Sequence, residues 1–287
     1  MPKERVFMNT NYIFVKTQKF ICGITMAFII ILLGGCDSLT SLLVPPPPTT
    51  IADIAYDTRR RSDVDYRIFI KESSCFVPYL VATANHNGNV LLVREFLLDE
   101  LIHFNPSPHE SPPGHNLWAS QDFGGYYEDS YIDNFLNTEF MSNLGEGVIE
   151  AMILSNIEIT DKSSMGVAGR VSKHIYRHVF LLSSRELGVA DSRITVPEGE
   201  RLDIFAGKFT RRVARHSNGK AHPYWTRTPQ NWETYRVMII GVDMAGPGTA
   251  NNLLGVRPAF SLYRNTPITT RTDIVKGEYV FVIGGGD

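Results

Sequence analysis

The sequence predicts an α+β domain with short helices flanking antiparallel sheets, preceded by a leader that stands apart from it. Three observations carry that expectation. Runs rich in β-branched and aromatic residues lie near both ends of the body, around 65–93 and again from Tyr224 onward. Apolar residues at helical spacing fill the stretch 126–154 between them. The helices cluster instead of alternating with strands, which argues against a parallel βαβ architecture.

Taken in order, 65–70 (DYRIFI) and 79–93 read as strands. The second is broken at Asn85-His86-Asn87-Gly88-Asn89, where Asn87-Gly88 supplies the positive-φ pair of a tight hairpin. Residues 105–115 hold four prolines in eleven positions and read as a surface loop. In 126–143, Asp129 or Ser130 can cap a helix that places Ile132, Phe135, Leu136 and Phe140 on one face. Residues 146–154 give a second helix, with Val148, Ile149, Met152 and Ile153 inward. Residues 178–182 are a buried-strand candidate, and Ser183-x-x-Glu186 is a capping box opening a further short helix. A weak helix over 200–216 stops at Asn218-Gly219, and strands return at 224–227, 235–242, 256–262 and 278–283.

Charge separates this body from its leader. The chain has 287 residues, with 28 Lys+Arg against 30 Asp+Glu, a formal charge of −2. That balance excludes the basic footprint of a dedicated nucleic-acid binder. Lys3, Arg5, Lys16 and Lys19 face only Glu4 in the first 35 residues, a net +3, which leaves −5 for the remaining 252. Phe20 to Leu33 is an uncharged run of 14 residues, shorter than the roughly 20 a spanning helix needs. It suits the apolar core of an export signal whose start is Met1 or Met8.

Leu33-Gly34-Gly35-Cys36 follows and resembles the lipobox of bacterial lipoproteins. The resemblance implies cleavage before Cys36 and acylation of its thiol; each buried methylene then adds roughly 0.8 kcal/mol of membrane affinity. Asp37 resembles the signal that keeps enteric lipoproteins on the inner membrane, on its periplasmic face. Pro45 to Pro48 stiffen a tether that reaches about 40 Å. The expected organisation is a signal peptide over 1–35, a lipidated tether over 36–50, and one domain over 51–287. With Cys22 removed and Cys36 modified, only Cys75 remains, so no intrachain disulfide holds that domain.

Four blocks carry a family resemblance: Tyr127 to Asn137 (YEDSYIDNFLN), Val179 to Ser183 (VFLLS), Tyr224 to Pro229 (YWTRTP) and Gly255 to Phe260 (GVRPAF). They resemble, in order, the W-E-x-S-x-L-R-x-W-L-N, V-F-L-L-S, W-W-L-R-S-P and G-V-R-P-A hallmarks of a bacterial domain of unknown function. Tyr127, Phe135 and Thr228 depart from the pattern while keeping bulk or polarity. That domain is similar to the C-type-lectin-like fold of formylglycine-generating enzymes. The similarity implies two helices flanking sheets, and long loops that present a binding face.

Catalytic signals are thin. A formylglycine-generating enzyme needs a cysteine pair near its C-terminal end, and an iron-dependent relative a histidine cluster ending in His-x-Glu; Cys75 stands alone. His174 and His178 have no carboxylate between them, and His103, His109 and His115 are spread along the proline-rich stretch. Asp122, Glu128, Asp129, Asp133 and Asn134 supply oxygens, which more simply cap and solvate a helix than hold calcium. No cofactor, metal or nucleic acid is expected. Trp118, Tyr126 and Tyr127 flank a loop-like Asp122-Phe123-Gly124-Gly125 and are ligand-contact candidates, as are Trp225 and Arg227. Arg227 with Arg257 and Pro258 reads alternatively as a buried framework in which guanidinium groups bond loop carbonyls. The expected role is a lipid-anchored envelope module that binds a glycan or a protein without catalysis. A metal-dependent oxidase and a structural envelope protein are the alternatives.

Overall fold

The computed structural model describes residues 48–55, 66–106, 124–165, 170–189, 196, 198–207, 209–230, 233–271 and 280–283. The chain divides into two compact units, 1–47 and 48–287, and every described residue lies in the second. No helix among the described residues is long and apolar enough to cross a membrane.

Seven strands form the main sheet. Arg67–Glu72 (β1), Cys75–His86 (β2) and Asn89–Arg94 (β3) come first, and Ile102–His103 (β4) pairs elsewhere. Asn87 and Gly88, at φ 52° and 80°, make the tight turn that the Asn-Gly pair predicts. After the helices come Ser155–Thr160 (β5), Ser172–Arg177 (β6), Val179–Leu181 (β7) and Tyr224–Pro229 (β8). The chain closes through Arg236–Ile240 (β9), Ala245–Thr249 (β10), Leu253–Leu254 (β11), Pro258–Leu262 (β12), Thr269–Arg271 (β13) and Val280–Ile283 (β14). The main sheet runs β13-β14-β1-β2-β3-β12-β7, and only β1 with β14 is parallel. Three smaller sheets accompany it: β10-β9-β8, β11-β4 and the β5-β6 hairpin.

Burial explains why these runs become strands. From Val90 to Arg94 every residue of β3 is buried, and so is all of β8, so both strands are covered on two faces. Their period-two pattern disappears: in β3 the trace in the sequence is the apolar run Val90 to Val93, while β8 buries Thr226, Arg227 and Thr228 with their polar groups bonded inside. Tyr79 packs on Phe260 at 5.3 Å between ring centroids, and Trp225 meets Phe104 edge-on at 5.6 Å.

The α+β expectation is corrected here. The fold is mostly β, 41% strand against 17% helical, and no pair of helices flanks the sheets as the C-type-lectin-like likeness implied. Tyr131–Phe135 (α1) is capped by the Ser130 hydroxyl, which accepts from the Asp133 N–H at 3.2 Å, and it widens into a π turn at Leu136–Phe140. Glu146–Ala151 (α2) has six residues, fewer than two turns. The weak helix over 200–216 is replaced by two 3-10 turns, Asp203–Phe205 and Phe209–Arg211, with Gly207 at φ 88° between them. The box at Ser183 forms reciprocally, with Ser183 N donating to Glu186 Oε2 at 2.8 Å and Glu186 N to Ser183 Oγ at 3.0 Å. It closes a turn and no helix follows, because the backbone leaves the helical region at Gly188, φ 70°; the Glu186 carboxylate also pairs with Arg227.

Candidate functional site

Arg227 enters the interior from β8, with no solvent exposure. Its Nη1 and Nη2 donate to Glu186 Oε2 and Oε1 at 2.6 and 2.8 Å. Its remaining donors meet backbone carbonyls, Nη1 that of Leu181 at 2.8 Å and Nε that of Glu158 at 3.0 Å. Burial works against this charge, but Glu186 more than offsets it, and the guanidinium titrates above its ordinary range.

A second carboxylate lies in the same interior. Glu198 is fully enclosed; Oε1 accepts from Thr160 N and Oγ1 at 2.7 and 2.8 Å, and Oε2 accepts from Thr228 Oγ1 at 2.6 Å. Burial pushes its carboxyl up to about 7, against the downward pull of Arg227 and the threonine donors. Arg227 has already spent its fork on Glu186, so Glu198 is one carboxylate more than the cluster can neutralise. Gly199 follows at φ 72°, and a Cβ there would stand 2.6 Å from Glu186 Oε1, so only glycine lets the chain pass.

Above this cluster opens a cleft of about 450 Å³ with Glu186 on its lining. One wall is the bulged end of β2, from Ala82 to His86; another is the β5–β6 hairpin, through Asn156, Glu158 and His174; the third is Gly199 to Asp203. The Asn87 amide ties the first two walls by donating to the Asn156 carbonyl at 2.9 Å. His86 is held on both sides, its Nδ1 2.9 Å from Ser261 Oγ and its ring stacked on Phe180 at 5.7 Å. Burial lowers its pKa below the usual histidine value. Arg227 Cζ lies 6.0 Å from the centroid of the same Phe180 ring, so one aromatic links the cleft wall to the buried cluster. Glu158 accepts from the Ser172 hydroxyl and from Gly199 N, which hold its carboxyl below the ordinary range although burial opposes them. The cleft therefore presents acceptors that are already oriented.

Of the residues singled out in the sequence, Arg227 stands in this buried cluster and the others fall elsewhere. Tyr127 is enclosed, and its hydroxyl accepts from Leu181 N at 3.2 Å. Trp225 is equally enclosed and donates from Nε1 to the Ile102 carbonyl at 2.8 Å. Tyr126 is half-buried beside Lys162 and Lys173, and its hydroxyl donates to Glu128. Arg257 donates from Nε to the Arg94 carbonyl at 2.8 Å and lies over the Phe205 and Tyr224 rings, beside a buried Pro258. Its Nη1 has no partner among the described residues. Trp118, Asp122, Phe123, His109, His115, Cys36 and the tether prolines up to Pro47 lie outside the described residues. No group of three or more His, Cys, Asp or Glu placed for a metal ion occurs among the described residues.

Sequence reasoning missed His86, Glu158 and Glu198. His86 hid inside a turn signal, and Glu186 inside a capping box. The β5 segment Ser155–Thr160 alternates polar and apolar residues, a period-two signal that places Glu158 on a strand face. Glu198 carries no local signal, because its role depends on residues 38 positions before it and 30 after.

A family profile described as "Domain of unknown function (DUF6273)" matches residues 87–264, well over half of the chain. The chain belongs to the DUF6273 family. No curated protein and no solved structure matches it. The DUF6273 span takes in Glu158, Glu186, Glu198 and Arg227, and with them the whole buried cluster. It leaves outside β1, all of β2 and the β13–β14 edge, so the Ala82–His86 wall of the cleft lies just before the matched DUF6273 segment.

Proposed function

We propose that the protein is a bacterial lipoprotein, anchored to the envelope through acylated Cys36, whose body is a non-catalytic binding module. The polar cleft is the ligand site in this reading, and the observation that carries it is the cleft's construction. A volume of about 450 Å³ falls within the range of small-ligand sites. Such sites are mostly apolar, whereas this one is walled by asparagine, histidine and carboxylate side chains, which suits a ligand rich in hydrogen-bonding groups. The buried pair Glu186–Arg227 fixes its floor, so the wall groups need little reordering when a ligand enters. Glu186 is held in a bidentate pair and Glu158 by two donors, an arrangement for holding a ligand more than for exchanging protons with it.

The binding reading is tested on the full chain in a non-glycosidic detergent, by calorimetry against panels of oligosaccharides, short peptides and small polar solutes. A ligand is expected whose affinity drops at least fivefold in both Asn156→Ala and His174→Ala, two exposed positions whose truncation leaves the fold intact. Absence of any ligand, or a ligand indifferent to both changes, overturns the reading. Anchoring is tested separately: Cys36→Ser is expected to lose acyl label and membrane retention, and unchanged labelling contradicts it.

A further inference from the structure

The β5–β6 hairpin that supplies one wall of the cleft also carries an exposed aromatic, Tyr176, which does not itself line the cleft. Tyr176 is 58% exposed, the most solvent-open aromatic among the described residues. In the β5–β6 hairpin Asn156 is paired with Tyr176 and Glu158 with His174. Directly opposed residues of an antiparallel pair project from the same face, as do residues two apart on one strand. Tyr176, Asn156, Glu158 and His174 therefore share one face, and the last three line the cleft. Packing does not explain Tyr176, because the buried face of the same hairpin is made by Ile157, Ile159 and Ile175.

From this juxtaposition we infer that the cleft binds a pyranose sugar of an oligosaccharide, stacked on Tyr176 with its hydroxyls turned toward Asn156, Glu158 and His174. The inference rests on the cleft being a binding site. A pyranose ring has an apolar face of C–H bonds and an edge of hydroxyls. The C–H face matches the negative face of an aromatic ring. Each hydroxyl both donates and accepts, and the site meets both needs: Asn156 and His174 can do either, while Glu158 accepts. A small cation is the competing occupant, because with Glu186 cancelled by Arg227 the lining keeps Glu158, Glu200 and Asp203 against Arg201; binding of small amines alone overturns the sugar inference. A peptide would bring apolar side chains to a cleft whose walls offer mainly polar groups.

The test is calorimetry of the full chain, in a non-glycosidic detergent, against glucose, mannose and N-acetylglucosamine oligomers, with an unrelated peptide panel alongside. At least one oligosaccharide is expected to bind. Tyr176→Ala should weaken it roughly five- to tenfold, and Tyr176→Phe should keep it within about twofold, since stacking needs the ring and not the hydroxyl. Thermal melts of both variants should match the parent, because the side chain is exposed. Sugar binding that Tyr176→Ala leaves unchanged overturns the platform. Binding of peptides alone, sensitive to Asn156→Ala, overturns the sugar inference while the binding-module reading stands. Silence of both panels, and of the small polar solutes above, removes both.

Discussion

Arg94 and Arg227 hold their surroundings in closely similar ways, but the two clusters differ by one carboxylate. At Arg94, Nε and Nη2 donate to Glu72 at 2.9 and 3.0 Å, and Nη1 donates to the Phe96 and Leu97 carbonyls at 2.8 and 2.5 Å. One cation meets one anion, and the Glu72 side chain keeps 13% exposure. At Arg227 a bidentate pair and two backbone carbonyls recur, with Nη1 and Nη2 on the carboxylate and Nη1 and Nε on the carbonyls, but there is no solvent access and Glu198 shares the interior. Balance makes the first cluster a clamp. In the second, burial of a further carboxylate raises the Glu198 carboxyl.

The largest effect that separates them is loss of the cation. Arg227→Leu strands Glu186 and Glu198 in the interior and should cost about 4 kcal/mol. Arg94→Leu should cost about half as much, because Glu72 can turn toward water. Urea denaturation of the full chain measures both, and equal losses would erase the distinction.

A smaller effect should come from the excess carboxylate itself. The folded Glu198 carboxyl sits at about 7, above its ordinary 4.5, so the folded state binds the proton more tightly than the unfolded state does. Its contribution to stability is then fullest at low pH and falls as pH rises from about 4.5 through 7, by about 3 kcal/mol in all. Glu198→Gln should remove that slope and leave the variant more stable than the parent at pH 8. The same change should be nearly neutral at pH 4.5. Asp133, which burial also raises, and Asp53, Glu128, Glu158 and Asp161, which shift down, are present in both proteins, so the difference between the two pH curves reports on Glu198.

The comparison also shows which features were legible in the sequence. The Asn87-Gly88 turn, the buried β7 and β8 runs and the Ser130 cap are local in origin, and residue types alone point to them. The β class was misread because the helical spacing in 126–154 is real but short, while the 155–177 hairpin, with its modest alternation, passed unnoticed. Ser183-x-x-Glu186 shows the limit well: the box forms, yet a partner 41 residues away decides what Glu186 does. The cleft was illegible for the same reason. His86, Glu158, Glu186 and Gly199 are brought together by pairings between distant strands, and no spacing along the chain encodes that meeting.

The excess carboxylate is tested most directly by following the side-chain carboxyl carbon of Glu198 by ¹³C NMR, in protein labelled at glutamate and assigned through Glu198→Gln. A titration midpoint near 7 is predicted. A midpoint at or below the ordinary 4.5 would mean that Arg227 neutralises both carboxylates, and the contrast between the two clusters would fall.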